Sequence, residues 1–253
     1  MAGVKRCLIL AAGYGKRIRG VSGNDPKPLV SVRDTPLLEH VLLSAQQAGI
    51  EDFFVVTGYQ SGIVRRWFNS SGFDSIRVTW IENIHYQQDN GVSVLQAKDL
   101  LHDPFLLLMS DHLFEPQTAK RLLHQSISHD EVILAADRKI HMVFDLEDAT
   151  RVRLDGEHIV DIGKDIAFYD ALDTGMFLCG PTIFEALESA KTNGNCSLSD
   201  GMRKLARQRK FRAFDIGTAH WQDVDTPETL AYAEAIFDKH FRDNPVSGRL
   251  ARV

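Results

Sequence analysis

The chain has 253 residues, 44% of them hydrophobic, and a formal net charge of -5, enough length and apolar content for one large domain with a substantial buried core. The charge balance excludes the clustered positive excess that nonspecific nucleic-acid binding uses, and no stretch approaches the roughly 20 apolar residues of a membrane-crossing helix. Cys7, Cys179 and Cys196 are widely separated and lack C-x-x-C spacing, so neither a disulfide framework nor a zinc site is indicated. A reducing, cytoplasmic setting is therefore expected, without membrane insertion.

In chain order, the first element is an apolar strand over 7–11. It is preceded by basic residues but is too short for a secretion signal core, and it breaks at once into a glycine loop. Leu10, Ala11 and Ala12 lead into Gly13-Tyr14-Gly15-Lys16-Arg17, where small residues let the backbone approach a ligand and two side chains supply positive charge. Lys27 follows between Pro26 and Pro28, whose rings restrict the local backbone and hold its ammonium in place. The loop is a phosphate cradle, but of neither common kind. Gly15-Lys16 is followed by Arg17 rather than the Ser or Thr of a Walker A loop, and the third glycine of a dinucleotide fingerprint is missing.

A helix is expected over 36–48, with Leu37, Leu38, Val41, Leu42 and Ala45 on one face and Thr35 placed to cap it. Strands over 53–57 and 78–82 precede a segment, 83–93, in which Asn83 offers a donor and an acceptor and Asn90-Gly91 suits a tight turn. A helix over 93–101 comes next, beginning at Ser93. The run over 105–109 has no polar alternation, predicting a central strand buried on both faces, with Asp111 emerging at its carboxyl end. A helix over 117–126 and a strand over 132–136 complete an alternation typical of a sheet covered on both sides. The texture then becomes β-rich over 149–178, with turn signals such as Asp155-Gly156, before helices over 181–190 and 198–208. Thr226-Pro227 reads as a helix start, with Leu230, Ala233 and Phe237 carrying an apolar stripe. Residues 242–253 are polar and aperiodic, as expected of a flexible tail.

The loop and Lys27 together resemble the nucleotidyltransferase superfamily, which moves a nucleoside monophosphate from a triphosphate onto an acceptor phosphate. The runs F-L-L-L-M-S-D-H (105–112), A-T-R-V-R (149–153), V-D-I-G-K-D (160–165), A-L-D-T-G-M-F (171–177) and W-Q-D-V-D-T (221–226) narrow the likeness to the inositol-1-phosphate cytidylyltransferases. The similarity runs in order from about residue 7 to residue 237. It implies a three-layer, Rossmann-like α/β fold with a mixed, mostly parallel central sheet. One domain would occupy 1–241, with a nucleotide-binding portion over about 1–140 and a small β-rich acceptor-binding portion over about 141–225.

The resemblance further implies Mg²⁺-dependent transfer of CMP from CTP to inositol-1-phosphate. Arg17 and Lys16 would meet the β- and γ-phosphates, and Lys27 the α-phosphate. Asn83, Asn90, Gly91 and Ser93 would border the base. Lys164 would hold the acceptor phosphate, with Asp173, Thr174 and Gly175 around the acceptor. Asp111 would bind the metal together with Asp223 or Asp225, a choice left open because residues two apart in an extended segment share a face. His112 is assigned a structural or outer role, because an acceptor phosphate already ionised needs no general base. Trp80 and Trp221 read as packing residues, and Arg138 as a surface ion pair. Some relatives carry a fused membrane phosphatidyltransferase; here such a downstream partner would be a separate chain. Other acceptors (phosphocholine, a phosphonate or a sugar-1-phosphate) share the same triphosphate loop. A non-catalytic nucleotide-binding subunit is disfavoured, since the cations and acids are all present.

Overall fold

A computed structural model describes residues 3–23, 25–73 and 75–241. Strand β1 (Arg6–Ala11) is apolar and buried on both faces from Cys7 onward; it lies within a parallel set. Its neighbours are β4 (Asp52–Thr57) and β6 (Phe105–Met109), in register from Cys7↔Phe53 and Cys7↔Leu106, and β5 (Arg77–Glu82) extends the set beyond β4. These boundaries match the apolar runs of the sequence to within one residue.

Alternate residues along each strand point to opposite faces and so feed two cores. Leu8, Leu10, Phe105 and Leu107 pack beneath α4 (Asn90–Leu95), α6 (Thr182–Ala190) and α7 (Leu198–Arg207). Cys7, Ile9, Leu106 and Leu108 pack beneath α2 (Leu37–Ala48), α3 (Ser61–Ser70) and α5 (Pro116–Leu123). The result is the three-layer architecture expected. Among the described residues, no helix is long and apolar enough to cross a membrane.

The sheet has nine strands in the order β5-β4-β1-β6-β11-β8-β12-β10-β9. Here β8 is Val132–Asp137, β9 Arg151–Asp155, β10 His158–Gly163, β11 Ala171–Cys179 and β12 Phe211–Asp215. It is mixed, as expected, but its parallel character is confined to β5-β4-β1-β6 and the β8–β12 pair. Strand β11 enters antiparallel between β6 and β8, and the β9–β10 hairpin is antiparallel to its neighbours. The β-rich segment is thus an extension of the same sheet.

Three local expectations need correction. Helix α2 carries Pro36, not Thr35, at its N-cap position; Thr35 pairs with Val32 in a small ribbon formed by β2 (Ser31–Val32) and β3 (Thr35–Pro36). Asn90-Gly91 is not a tight turn but the first turn of α4. Gly91 allows that turn to lie against 196–197, where a Cβ would come within 2.7 Å of the Cys196 carbonyl. The helix expected over 93–101 ends at Leu95, after which i→i−3 bonds such as Ala97 N–H to Val94 O, 3.0 Å, tighten it into successive turns. The tail over 242–253 lies outside the described residues.

A third, smaller core joins pieces distant in sequence. Ile18 and Val30, from either end of the stretch between the glycine loop and β2, pack with Leu113, Val224, Ala233 and Phe237. The last two belong to α8 (Pro227–His240), whose start is fixed by a reciprocal capping box between Thr226 and Thr229. Strand β7 (His112–Phe114) pairs with β13 (Trp221–Asp223), opposing His112 to Asp223, and Val224 N–H donates to Asp111 O at 2.9 Å. That ribbon sets Asp111 beside the 223–225 carboxylates.

Phe177, fully buried at the centre of β11, should cost about 3–5 kcal/mol when cut to Ala, whereas Phe168, 81% exposed, should change stability by less than about 0.5 kcal/mol on the same substitution. Equilibrium urea denaturation of both variants measures the contrast.

Candidate functional site

The carboxyl ends of β1 and β6 open into a cleft of ≈ 1100 Å³. One wall is the loop that follows β1, with Leu10, Ala11, Ala12, Gly13, Gly15, Lys16 and Arg17 all on the surface of the cleft. Gly15 sits at φ +62, and a Cβ there would lie 2.7 Å from the Lys27 side chain, so the loop closes over Lys27 only with glycine. A Cβ on Gly13 would face open space, which leaves its backbone accessible from the cleft. Lys27, in a single 3₁₀ turn over Lys27–Leu29, Asp111, Asp223 and Asp225 form the floor, and Lys164, Asp173 and Gly175 line the cleft as well.

Lys27 is the hub of the floor. Its ammonium contacts both Asp111 Oδ2 and Asp225 Oδ1, and its side chain is only 10% exposed. Burial opposes its charge, yet the two carboxylates outweigh that and raise its pKa. Burial likewise opposes ionisation of Asp111, but Lys27 and His112 hold its carboxyl well below the usual range. Asp223 is pushed the other way, raised first by burial and then by its like-charged neighbours Asp225 and Asp111. Arg17 spans outward from this floor, with Nη2 3.0 Å from Asp225 and Nη1 2.8 Å from Asp148.

His112 is clamped. Its Nδ1 lies 2.7 Å from Asp111 Oδ1, and its ring stacks on Trp221 at 5.9 Å between centres and 10° between planes. Its other side fits the notch left by Gly175 (φ +73), where a Cβ would come within 2.6 Å of the ring. Burial would lower its pKa, but Asp111, Asp223 and Asp225 raise it to about 9, so the ring is a cation at neutral pH. Beside it, the ladder of β11 shifts register after Asp173, whose Oδ1 accepts from Gly175 N–H at 2.7 Å. Burial raises the Asp173 carboxyl to about 6, only partly offset by that hydrogen bond and by His112.

The structure does not bring every expected residue to the cleft. Asn83 is fully buried, its amide donating to Ser93 Oγ at 2.9 Å and its carbonyl oxygen accepting from His85 N–H at 2.8 Å. Both polar ends are spent in holding the 83–93 segment. Gly91 is packed behind the wall, and Thr174, 3% exposed, donates to Ala135 O at 2.7 Å. Asn90 and Ser93 do reach the cleft, although the side-chain oxygen of Asn90 is engaged by Leu198 N–H at 2.8 Å. Tyr86, Gln87 and Gln88 are the side chains that the segment presents beside them. Trp221, read from the sequence as core packing, is partly a cleft residue, with its indole N–H donating to Asp137 at 2.9 Å.

Asp148 is the main residue that sequence reasoning missed. Its carboxylate bridges Arg17 and Lys164, the latter at 2.5 Å. Among the described residues, Asp148, Asp223 and Asp225 offer oxygens within 4.8 Å of one another, a spacing suited to a hard divalent cation, with Asp111 adjacent on Lys27. The signal available in the sequence was its position next to the A-T-R-V-R run.

Comparison with known proteins gives the family and the fold. A model of the MobA-like NTP transferase domain matches residues 7–212. The chain is 35% identical over 244 residues to the bifunctional IPC transferase and DIPP synthase of Rubrobacter xylanophilus, covering 94% of this chain and 54% of that protein. It is 30% identical over 233 residues to the protein of the same description from Aquifex aeolicus, covering 91% and 51%. The chain therefore spans about half the length of the curated relatives it matches. Among solved structures, the inositol-1-phosphate CTP transferase from T. maritima superposes with a TM-score of 0.80 at 24% identity, covering 94% of this chain and 98% of that one. UDP-glucose pyrophosphorylase complexed with UDP-glucose superposes at 0.78 and 20% identity, covering 93% and 99%. At those identities the structural matches establish the fold.

Asp173 gives this site a measurable pH signature. Its folded pKa of about 6 lies above the unfolded value of about 3.9, so the native state binds its proton more tightly. The stabilisation is complete below the unfolded pKa and lost as pH rises through the folded one, between about 4 and 6. Asp173→Asn should therefore gain stability relative to the parent at pH 8 compared with pH 4, read as the difference in urea midpoints at the two pH values.

Proposed function

The chain belongs to the family of MobA-like NTP transferase domains, and from that premise we propose that it transfers CMP from CTP to inositol-1-phosphate, releasing pyrophosphate and forming CDP-inositol. The observation that carries this reading is one continuous cleft lined by a cationic glycine loop, by Lys164 and Asp173, and by Lys27 with three aspartates. The identity of the substrates is supported by the names of the curated relatives and of the T. maritima structure, whose fold this chain shares.

In this reading the attacking phosphate oxygen of the acceptor approaches the α-phosphorus in line with the departing pyrophosphate. Backbone and cations of the glycine loop hold the triphosphate, with Lys16 and Arg17 meeting the β- and γ-phosphates. Lys27 faces the α-phosphate, where negative charge accumulates as the new bond forms. Lys164 receives the acceptor phosphate, and the Asp173 carboxylate accepts hydrogen bonds from ring hydroxyls. The acceptor phosphate is already ionised near neutral pH, so proton removal is not a step; His112 instead fixes the orientation of Asp111.

The carboxylates suit a divalent cation. Asp223 is raised by burial and then by its like-charged neighbours, and an ammonium already sits against Asp111 and Asp225, so this group of acids calls for positive charge. Asp111 with Asp223 and Asp225 would hold Mg²⁺, which would neutralise phosphate charge and orient the triphosphate. The three cysteines are buried and unpaired, in keeping with a reducing cytoplasm as the place of reaction.

Pyrophosphate release measured with a panel of triphosphates and acceptors tests the reading. Turnover should require CTP, inositol-1-phosphate and a divalent cation, and should stop on chelation with EDTA. Turnover only with UTP or dTTP and a sugar-1-phosphate would contradict it. Lys27→Met and Asp111→Ala should each lower kcat/KM by about 10²–10³-fold, the loss expected when a group that stabilises developing charge is removed. Lys164→Met should act chiefly through the KM of the acceptor.

A further inference from the structure

We propose that Asp148 is a latch: in the free protein its carboxylate stands in for substrate phosphate at both Arg17 and Lys164, and its displacement couples the binding of the two substrates. The proposal rests on the reading of the cleft given above and adds to it a residue and a binding linkage.

Asp148 precedes β9, in the segment that leads from β8. One oxygen, Oδ2, accepts from Arg17 Nη1 at 2.8 Å, and the other, Oδ1, accepts from Lys164 Nζ at 2.5 Å. One carboxylate thus ties a cation of the triphosphate loop to the cation assigned to the acceptor phosphate. Those are the charge partners that a substrate phosphate would take in the proposed reaction. Asp148 is also crowded by like charge, one of its oxygens lying within 4.8 Å of an oxygen of Asp223 and of Asp225. Arg17 and Lys164 are what hold it there, and with them it stays ionised although burial opposes this.

Exposure separates this contact from the one at Lys27. The Arg17, Asp148 and Lys164 side chains are 49%, 27% and 53% exposed, against 10% for Lys27. A solvent-screened pair of this kind is weak enough for a multiply charged phosphate to replace, whereas the buried Lys27 pairing belongs to the permanent framework. Displacement by either substrate leaves the carboxylate held at one oxygen only and repelled by the new anion. The second substrate then meets less competition for its cation. Linkage makes the effect reciprocal: the acceptor must tighten nucleotide binding by the same factor as the nucleotide tightens acceptor binding.

Calorimetric titration of α,β-methylene CTP and of inositol-1-phosphate, each alone and in the presence of the other at a fixed magnesium concentration, tests the latch without turnover. In the parent protein each ligand should tighten the other by about 2- to 5-fold, the fold-change corresponding to one exposed ion pair. In Asp148→Asn each ligand alone should bind tighter than to the parent by about the same factor, and the mutual effect should fall to one. Asp148→Glu, which keeps the charge, should restore the mutual effect. Equal or weaker binding of the single ligands to Asp148→Asn, or an undiminished mutual effect, would overturn the latch while leaving the functional reading standing. A parent protein that binds neither ligand would remove that reading and the latch with it.

Discussion

The site depends on the contact of the Lys27 ammonium with Asp111 and Asp225. Three carboxylates gathered in a half-buried floor repel one another, and an unpaired ammonium in the same place would be costly to desolvate. Together they balance, and the balance joins three stretches of chain far apart in sequence. The restraint is mutual. Gly15 fits over Lys27, Asp111 clamps His112, and Arg17 reaches Asp225, so displacing the hub would loosen the loop, the β6 exit and the 223–225 segment together.

That electrostatic hub is placed by ordinary packing. Parallel pairing of β1 with β6 brings Ala12 and Asp111 to the same edge of the sheet, where strand order puts most cleft residues of such folds. The β7–β13 ribbon then lays Asp223 against His112, and the small core of Ile18, Val30, Val224 and Phe237 pins the glycine loop to the same ribbon. Apolar contacts beneath the cleft set the positions from which the polar groups above meet one another.

Much of this was legible in the sequence. Unbroken apolar runs such as Phe105–Met109 and strong punctuation such as Thr226-Pro227 gave elements to within a residue or two, because periodicity and capping are local. Lys27, Asp111 and the 223–225 acids were singled out through the resemblance of their motifs to the nucleotidyltransferases, and folding brings all of them to the one cleft. What escaped depends on long-range context. Asn83 has the chemistry of a base-reading residue, but its amide lies where Ser93 and His85 N–H can satisfy it, which no local pattern reveals. Thr174 turns to Ala135 O because the register of β11 shifts there. Asp148 was invisible for the converse reason, since an acid in an irregular segment gains meaning only when folding sets it between Arg17 and Lys164.

The central claim is that two phosphates, one from each substrate, become joined in a single cleft. Phosphorus-31 NMR of the protein incubated with CTP, inositol-1-phosphate and Mg²⁺ tests it most directly. The account predicts loss of the phosphomonoester resonance and growth of a coupled pair of diphosphate resonances, together with the pyrophosphate signal. Hydrolysis of CTP with the monoester left unchanged would contradict it.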